Sequence, residues 1–308
     1  MRAAAAALGR RPPFAFYVII GSLLVLSTLT VAGHGVKATP VLALAMVIAI
    51  GYERLLSWRT LLGLTVLTIL FVPIKRYTLP ASLPFNLELY RVVVAIVFVA
   101  WLTSLLIDRR VRVRASGLEA PLLAYIAVIV FSLVVNTGRA NAVGRDLEKV
   151  LTFFVSYVVV FYLVVSLLRR ARDIDFLAGL LAAGGAVLGF FGVFESVTHY
   201  NVFNHLKMIL PIMTYDAGQA PTLFRGAIRA YGSGQHPIAF GAALVLLLPF
   251  AVYRAWAFGQ RRWWGAAALI LLGLLATRSR TGVLMLLIVV IVFLVLRPMY
   301  VKRLWPAI

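Results

Sequence analysis

Ten runs of apolar residues, separated by mostly short polar breaks, divide the chain at about 14–32, 38–52, 60–74, 89–107, 118–135, 150–168, 176–194, 237–257, 263–278 and 281–296. Apolar runs of roughly 18 or more residues predict helices that cross a bilayer, because a spanning barrel strand needs only about ten residues and alternates polar with apolar. The second, third, ninth and tenth runs fall below the roughly 20 residues that a bilayer core asks for. The expected fold is therefore an all-α, polytopic transmembrane bundle of about ten spans. One polar break is exceptional: residues 195–236 form a segment of about 40 residues, far above the usual length of a connection and of the kind that carries function. Its stretch N-V-F-N-H-L-K-M-I-L-P-I-M is apolar enough to lie on the membrane surface or to fold back into the bundle.

Composition agrees with the pattern. Of 308 residues 63% are hydrophobic and only 13% charged, against about half and a quarter in soluble domains. The formal charge of +20 raises the question of a nucleic-acid partner. The basic residues answer it, because they sit in short clusters between apolar runs as topogenic anchors do, and no nucleic acid is expected. The absence of cysteine excludes disulfides and thiolate metal sites. The N-terminal M-R-A-A-A-A-A-L-G-R-R-P-P leads into a first span with no small-residue cleavage site, which reads as a retained span.

Basic residues also predict orientation. With the N-terminus in the cytoplasm, 18 of the 30 lysines and arginines fall inside. They include the dense clusters R-R-V-R-V-R after the fourth run and R-R-A-R after the sixth. Both termini are then cytoplasmic, and Glu88, Glu195 and all four histidines fall outside. The outer basic residues are the informative minority. Lys75, Arg76, Arg91, Arg139, Arg145 and Lys149 read as side chains snorkelling to headgroups near helix ends.

Two outer motifs remain. R-A-Y-G-S-G-Q-H-P carries Arg229, Gly232, Gly234 and His236, with Arg225 just upstream. The glycines allow positive φ, and Pro237 suits the first turn of a helix. Free N–H groups at that helix start, with Arg229 beside them, would make an anion site. The same glycines serve equally to let the chain turn back into the membrane. T-R-S-R-T-G places Arg278 and Arg280 between two apolar runs, where arginines are costly unless paired or facing water, and where the inside bias of topology does not explain them. That motif reads as functional. His236 fits a general base, a donor to substrate or a polar helix start; Glu195 either pairs with an arginine or marks the interface. No P-loop, G-x-G-x-x-G, H-E-x-x-H or Asp-rich metal signature occurs, so neither a metal-dependent nucleotide-sugar enzyme nor an ATP-driven pump is supported.

The ordered set F-E-S-V-T-H-Y-N-V-F, R-A-Y-G-S-G-Q-H-P-I-A-F-G-A-A-L, an apolar helix with L-L-L-P-F, a short basic loop and L-L-A-T-R-S-R-T-G-V-L resembles the O-antigen ligase and O-antigen polymerase superfamily over about 195–290. The resemblance implies a glycosyltransferase of the bacterial inner membrane, acting in polysaccharide or lipopolysaccharide biosynthesis. Such proteins move a glycan from an undecaprenyl-diphosphate carrier to an acceptor hydroxyl of lipid A core, glycan or protein at the outer face, without metal or other cofactor. It further implies that Arg229, Arg278 and Arg280, with Arg225 less closely matched, hold the diphosphate, and that Gly232, Gly234, His236 and Glu195 support them. The family usually continues into a large periplasmic loop that supplies a histidine for the acceptor hydroxyl. This chain ends at V-K-R-L-W-P-A-I without that loop, which leaves the catalytic base unassigned.

The expected organisation is thus 1–194, about seven N-terminal spans; 195–236, a long external segment; and 237–308, the ligase-like spans with both arginine motifs. Two other functions fit the same basic cavity. One is a transporter or flippase for an anionic lipid-linked substrate, although no repeat between the halves points to it. The other is a non-catalytic subunit of an envelope polysaccharide complex.

Overall fold

The structure, a computed structural model, describes residues 57–80, 87–107, 115–138, 150, 153–168, 170–216, 223–224 and 227–296. The first two expected spans, Arg225 and the chain beyond Leu296 lie outside them. The chain forms two compact units, Met1–Leu61 and Leu62–Ile308. Of the first only 57–61 are described, where the Ser57 hydroxyl accepts from the Thr60 N–H at 3.3 Å and caps a helix start.

The other eight apolar runs are helical with bounds close to those expected. They are α1 (Trp58–Phe71), α2 (Leu89–Ile107), α3 (Glu119–Val135), a π-helical turn (Phe154–Val159) leading into α4 (Val160–Leu167), α5 (Ala171–Thr198), α6 (Pro237–Phe258), α7 (Arg261–Ala276) and α8 (Arg280–Leu296). Three of them, α2 over Leu89–Leu106, α5 and α6, are long and apolar enough to cross a membrane. Helix α3 buries none of its residues. An all-round apolar helix of this kind is at home in lipid rather than water.

Local chemistry sets the ends. At the start of α5 the Asp173 carboxylate accepts from the Arg170 N–H at 3.1 Å. Helix α6 opens with His236 as N-cap and Pro237 in its first turn, and stops at Gly259, whose φ of 62° is the left-handed conformation in which helices commonly end.

Helices α5, α6 and α7 form the centre of the second unit, and glycine lets them approach. A Cβ on Gly273 of α7 would lie 2.5 Å from the Gly189 Cα of α5, and one on Gly189 would lie 2.7 Å from the Leu269 carbonyl carbon. Backbones therefore touch, as in small-residue crossings of membrane helices. Gly185 makes the matching allowance for Ile270 and Leu247. Around these crossings Leu188, Phe240, Leu244, Leu247, Ile270 and Leu274 make the core. The contacts Gly185–Ile270 and Gly189–Gly273 show that α5 and α7 run parallel; Gly192–Phe240 and Gly179–Arg254 show that α6 runs antiparallel to both. Consequently the end of α5, the start of α6, the end of α7 and the start of α8 share one end of the unit.

Between α5 and α6 the long segment is folded. It begins with a 3₁₀ helix (Val202–Met208) whose Phe203 is buried, continues through β2 (Thr214–Tyr215), and makes a two-residue hairpin of β3 (Leu223–Phe224) with β4 (Ala227–Ile228). β2 pairs antiparallel with β1 (Tyr77–Thr78), which follows α1, in the register Tyr77↔Tyr215 and Thr78↔Thr214. The buried Tyr77 hydroxyl donates to the Phe203 carbonyl at 2.9 Å and accepts from the Leu206 N–H at 3.0 Å.

Gly273→Val forces two backbones apart at their closest approach. We expect it to cost about 3 kcal/mol or more, as overpacking of a tight core does, read as a lower melting temperature in detergent. Gly265→Ala on the same helix, where an added Cβ meets open space, leaves the melting temperature unchanged.

Candidate functional site

Both arginine motifs come to the shared end, and they are joined through backbone. The Ala230 N–H donates to the Ala276 carbonyl at 3.3 Å, and Arg229 Nε donates to the Thr277 carbonyl at 3.1 Å. Arg229 is half-buried, whereas Arg278 and Arg280 are exposed. Among the described residues Arg229 and Arg278 make no ion pair. Cationic groups thus stand at the end of α7 without a carboxylate to neutralise these two, an arrangement that favours an anion with several acceptor oxygens.

The T-R-S-R turn is held from within. The Thr277 hydroxyl donates to the Leu274 carbonyl at 2.7 Å and accepts from the Ser279 N–H at 3.2 Å; the Ser279 hydroxyl accepts from the Gly282 N–H at 3.1 Å. Arg278 sits one residue past the α7 cap with φ of 49°. That left-handed position is where glycine usually ends a helix. Holding an L-residue there costs roughly 1–2 kcal/mol, and such strain clusters at functional sites.

The glycine turn is organised by a residue that sequence reading passed over. Arg76 was expected at the headgroups; instead it is 7% exposed. Its Nη1 donates to Asn204 Oδ1 at 2.8 Å, its Nη2 donates to the Gly232 carbonyl at 3.1 Å and to the Gly234 carbonyl, and its carbon lies 4.4 Å from the Tyr231 ring centre. A desolvated guanidinium needs such acceptors, and the turn's carbonyls supply them. Burial pulls its pKa below the usual arginine value, opposed by Tyr231, Tyr215 and Glu195. Arg91 is half-buried, 3.5 Å from Glu88. Lys75 is exposed, as expected, while Arg139, Arg145 and Lys149 lie outside the described residues.

Glu195, 2% exposed, grips the same turn from the other side. Its Oε2 accepts from the Gly232 N–H at 2.8 Å and the Tyr231 N–H at 3.3 Å, and its Oε1 accepts from Asn201 Nδ2 at 3.0 Å. Asn201 also donates to the Gly232 carbonyl at 3.1 Å, and Asn204 donates to the Tyr231 hydroxyl at 3.0 Å. Glu195 thus binds backbone amides and Asn201 and makes no direct hydrogen bond to an arginine among the described residues. The N–H groups of Tyr231 and Gly232 are taken by Glu195, and that of Gly234 by the Tyr231 carbonyl at 2.8 Å. These amides are spent on the turn itself.

The glycines are required by contact as well as by conformation. Gly232 has φ of 46°, and a Cβ on it would lie 2.5 Å from the Phe240 ring; a Cβ on Gly234 would lie 2.9 Å from the Phe240 N. His236 caps α6, its Nδ1 accepting from the Ala239 N–H at 3.1 Å. That bond fixes Nδ1 as acceptor and leaves Nε2 as the protonated nitrogen of the neutral ring. Among the described residues no cluster of three His, Asp or Glu side chains could hold a metal ion.

Asn201, Asn204, Tyr231 and Tyr77 complete the network and were not anticipated. The signal available was N-V-F-N, two asparagines three apart in an otherwise apolar stretch, together with an arginine on the face that topology rules leave unexplained.

Comparison with known proteins finds no matching family model, no similar curated protein and no similar solved structure.

Two outcomes follow for variants. Arg76→Ala strands the Gly234 carbonyl and Asn204 Oδ1, while the Gly232 carbonyl keeps Asn201; at about 1–3 kcal/mol for each stranded group, it lowers the melting temperature and opens 199–236 to limited proteolysis. Arg278→Gly removes left-handed strain, so its melting temperature stays level or rises, by the equivalent of at most about 2 kcal/mol. A clear fall in the Arg278→Gly variant would mean that the arginine side chain, not the backbone turn, holds this helix end.

Proposed function

We propose that the chain is a multi-pass membrane glycosyltransferase of the O-antigen ligase and polymerase type. It transfers a glycan from undecaprenyl diphosphate to an acceptor hydroxyl at the outer face of a bacterial inner membrane, with both termini in the cytoplasm. The observation that carries this reading is the hydrogen-bonded junction of the R-A-Y-G and T-R-S-R motifs, Arg229 to Thr277 and Ala230 to Ala276, at one end of an apolar helical core. Two separate sequence motifs converge on one cationic patch, as a site for a diphosphate requires.

In this reading the acceptor oxygen attacks the anomeric carbon, the bond from that carbon to the diphosphate oxygen breaks, and the diphosphate leaves with the bonding pair. Negative charge then grows on the leaving group. Arg229, Arg278 and Arg280 stabilise it by preorganised charge, and Arg225 is assigned beside them by its place in the sequence. Arg229 is the most constrained, since its Nε is committed to Thr277 and its two Nη groups remain for phosphate oxygens. The hydroxyl proton passes to a base that is none of these arginines. The glycine turn, Glu195 and His236 act by position: they hold the backbone from which Arg229 projects.

The test uses membranes containing each variant and a radiolabelled undecaprenyl-diphosphate glycan. Arg229→Ala, Arg278→Ala and Arg280→Ala should each lower transfer by about 100-fold or more, the usual cost of one transition-state donor, with membrane insertion unchanged. Transfer at the native rate in all three removes the assignment. Native binding of the labelled lipid with no transfer, by the unaltered chain, would instead make it a substrate-holding subunit.

A further inference from the structure

We infer that the opposite end of the second unit, near the start of α7, carries a binding site for one anionic phospholipid of the cytoplasmic leaflet. This rests on the membrane orientation read from the basic clusters and not on glycan transfer.

An open crevice of about 750 Å³ runs between α5 and α7, lined by Ala183 and Ala186 on one side and by Arg262, Trp263, Gly265, Ala266 and Leu269 on the other. From Arg262 to Leu269 it follows α7 for about 10 Å at the helical rise. It therefore starts at the charged end and enters the apolar layer. Its walls are small: a Cβ added at Gly265 meets nothing within 4 Å, and Ala183 is exposed. A volume in this range is that of ordinary ligand sites, and a floor of alanine and glycine with no polar group suits an acyl chain.

The mouth is built for the other half of a phospholipid. Gln260 Oε1 accepts from Arg262 Nε at 2.9 Å and from Trp263 Nε1 at 3.1 Å, so one side-chain oxygen fixes both. The guanidinium carbon of Arg262 lies 5.3 Å from the Trp263 ring centre. Its Nη groups remain to pair with phosphate oxygens. Among the described residues neither Arg261 nor Arg262 makes an ion pair. Arg254, by contrast, is used internally, packed on Phe258 and Trp263 at 4.5 and 4.7 Å and bonded to the Asp175 carbonyl at 2.9 Å. Charge complementarity thus selects the occupant: the unneutralised Arg262 at the mouth of an apolar slot, with Arg261 next to it in sequence, in a leaflet whose surface is anionic.

The test is lipid titration of the full chain in non-ionic detergent, read by native mass spectrometry with dioleoylphosphatidylglycerol and, in parallel, dioleoylphosphatidylcholine. The chain should take up one phosphatidylglycerol with about fivefold preference, the equivalent of one arginine at a membrane surface. Arg262→Gln should erase the preference while phosphatidylcholine binding is kept. Gly265→Phe should fill the slot and lower the binding of both lipids together. Equal uptake of the two lipids by the unaltered chain, or a preference that survives Arg262→Gln, overturns the site. Arg262 is exposed, so that variant decides the matter even where Gly265→Phe does not fold.

Discussion

The glycine turn of the candidate site depends on two buried charges that never touch. Arg76 and Glu195 lie on opposite sides of one glycine turn, the first taking its carbonyls and the second its amides. Each charge would be prohibitively costly alone. Together they hold Tyr231–Gly234 like the two jaws of a clamp, with Asn201 and Asn204 closing the circuit. The turn has no freedom left, and Arg229, two residues before Tyr231, inherits that rigidity. A cationic site that must bind a multiply charged group gains from such preorganisation, because little ordering remains to be done when the ligand arrives.

The clamp can form only because the helices deliver its parts to one place. Contact of backbone with backbone at Gly189 and Gly273 fixes the height of α7 against α5, and so sets where Thr277 stands relative to Glu195. Phe240 then bridges them: its ring fills the space that Gly192 and Gly232 leave empty, tying the second turn of α6 to α5 and to the glycine turn at once. The glycines at the crossing and those in the turn serve one purpose, which is to let backbone come closer than any side chain would allow. A single added methyl at either level would shift the arginine junction.

Helix positions were legible from the sequence because apolar runs in this chain are long and their breaks are basic or glycine-rich; α2, α6 and α8 begin and end within a residue or two of the expected bounds. The convergence of the two arginine motifs was legible too, since counting spans places both at the same face. Arg76 was not. Hydropathy treats an arginine beside a helix end as a snorkelling side chain, and nothing local distinguishes one that points outward from one that is roofed over by residues more than 120 positions later. His236 was partly legible, since a polar helix start was one of its readings and it caps α6. The role of Glu195 was hidden. A carboxylate that binds backbone N–H groups leaves no mark in spacing, because its partners are amides that every residue carries.

The two ends of the unit use arginine differently. At the α7 start Arg254 lies against aromatic rings, and Gln260 holds Arg262 beside Trp263. At the α7 end arginines occupy demanding positions. Arg278 stands in a left-handed conformation that glycine would adopt without strain, and Arg76 is buried, its desolvation met by the turn's carbonyls and Asn204. The Arg278 choice does not serve backbone stability by itself. Charge is placed there against local backbone preference at Arg278 and against the cost of burial at Arg76, and both leave fixed positive groups at the end of an apolar core.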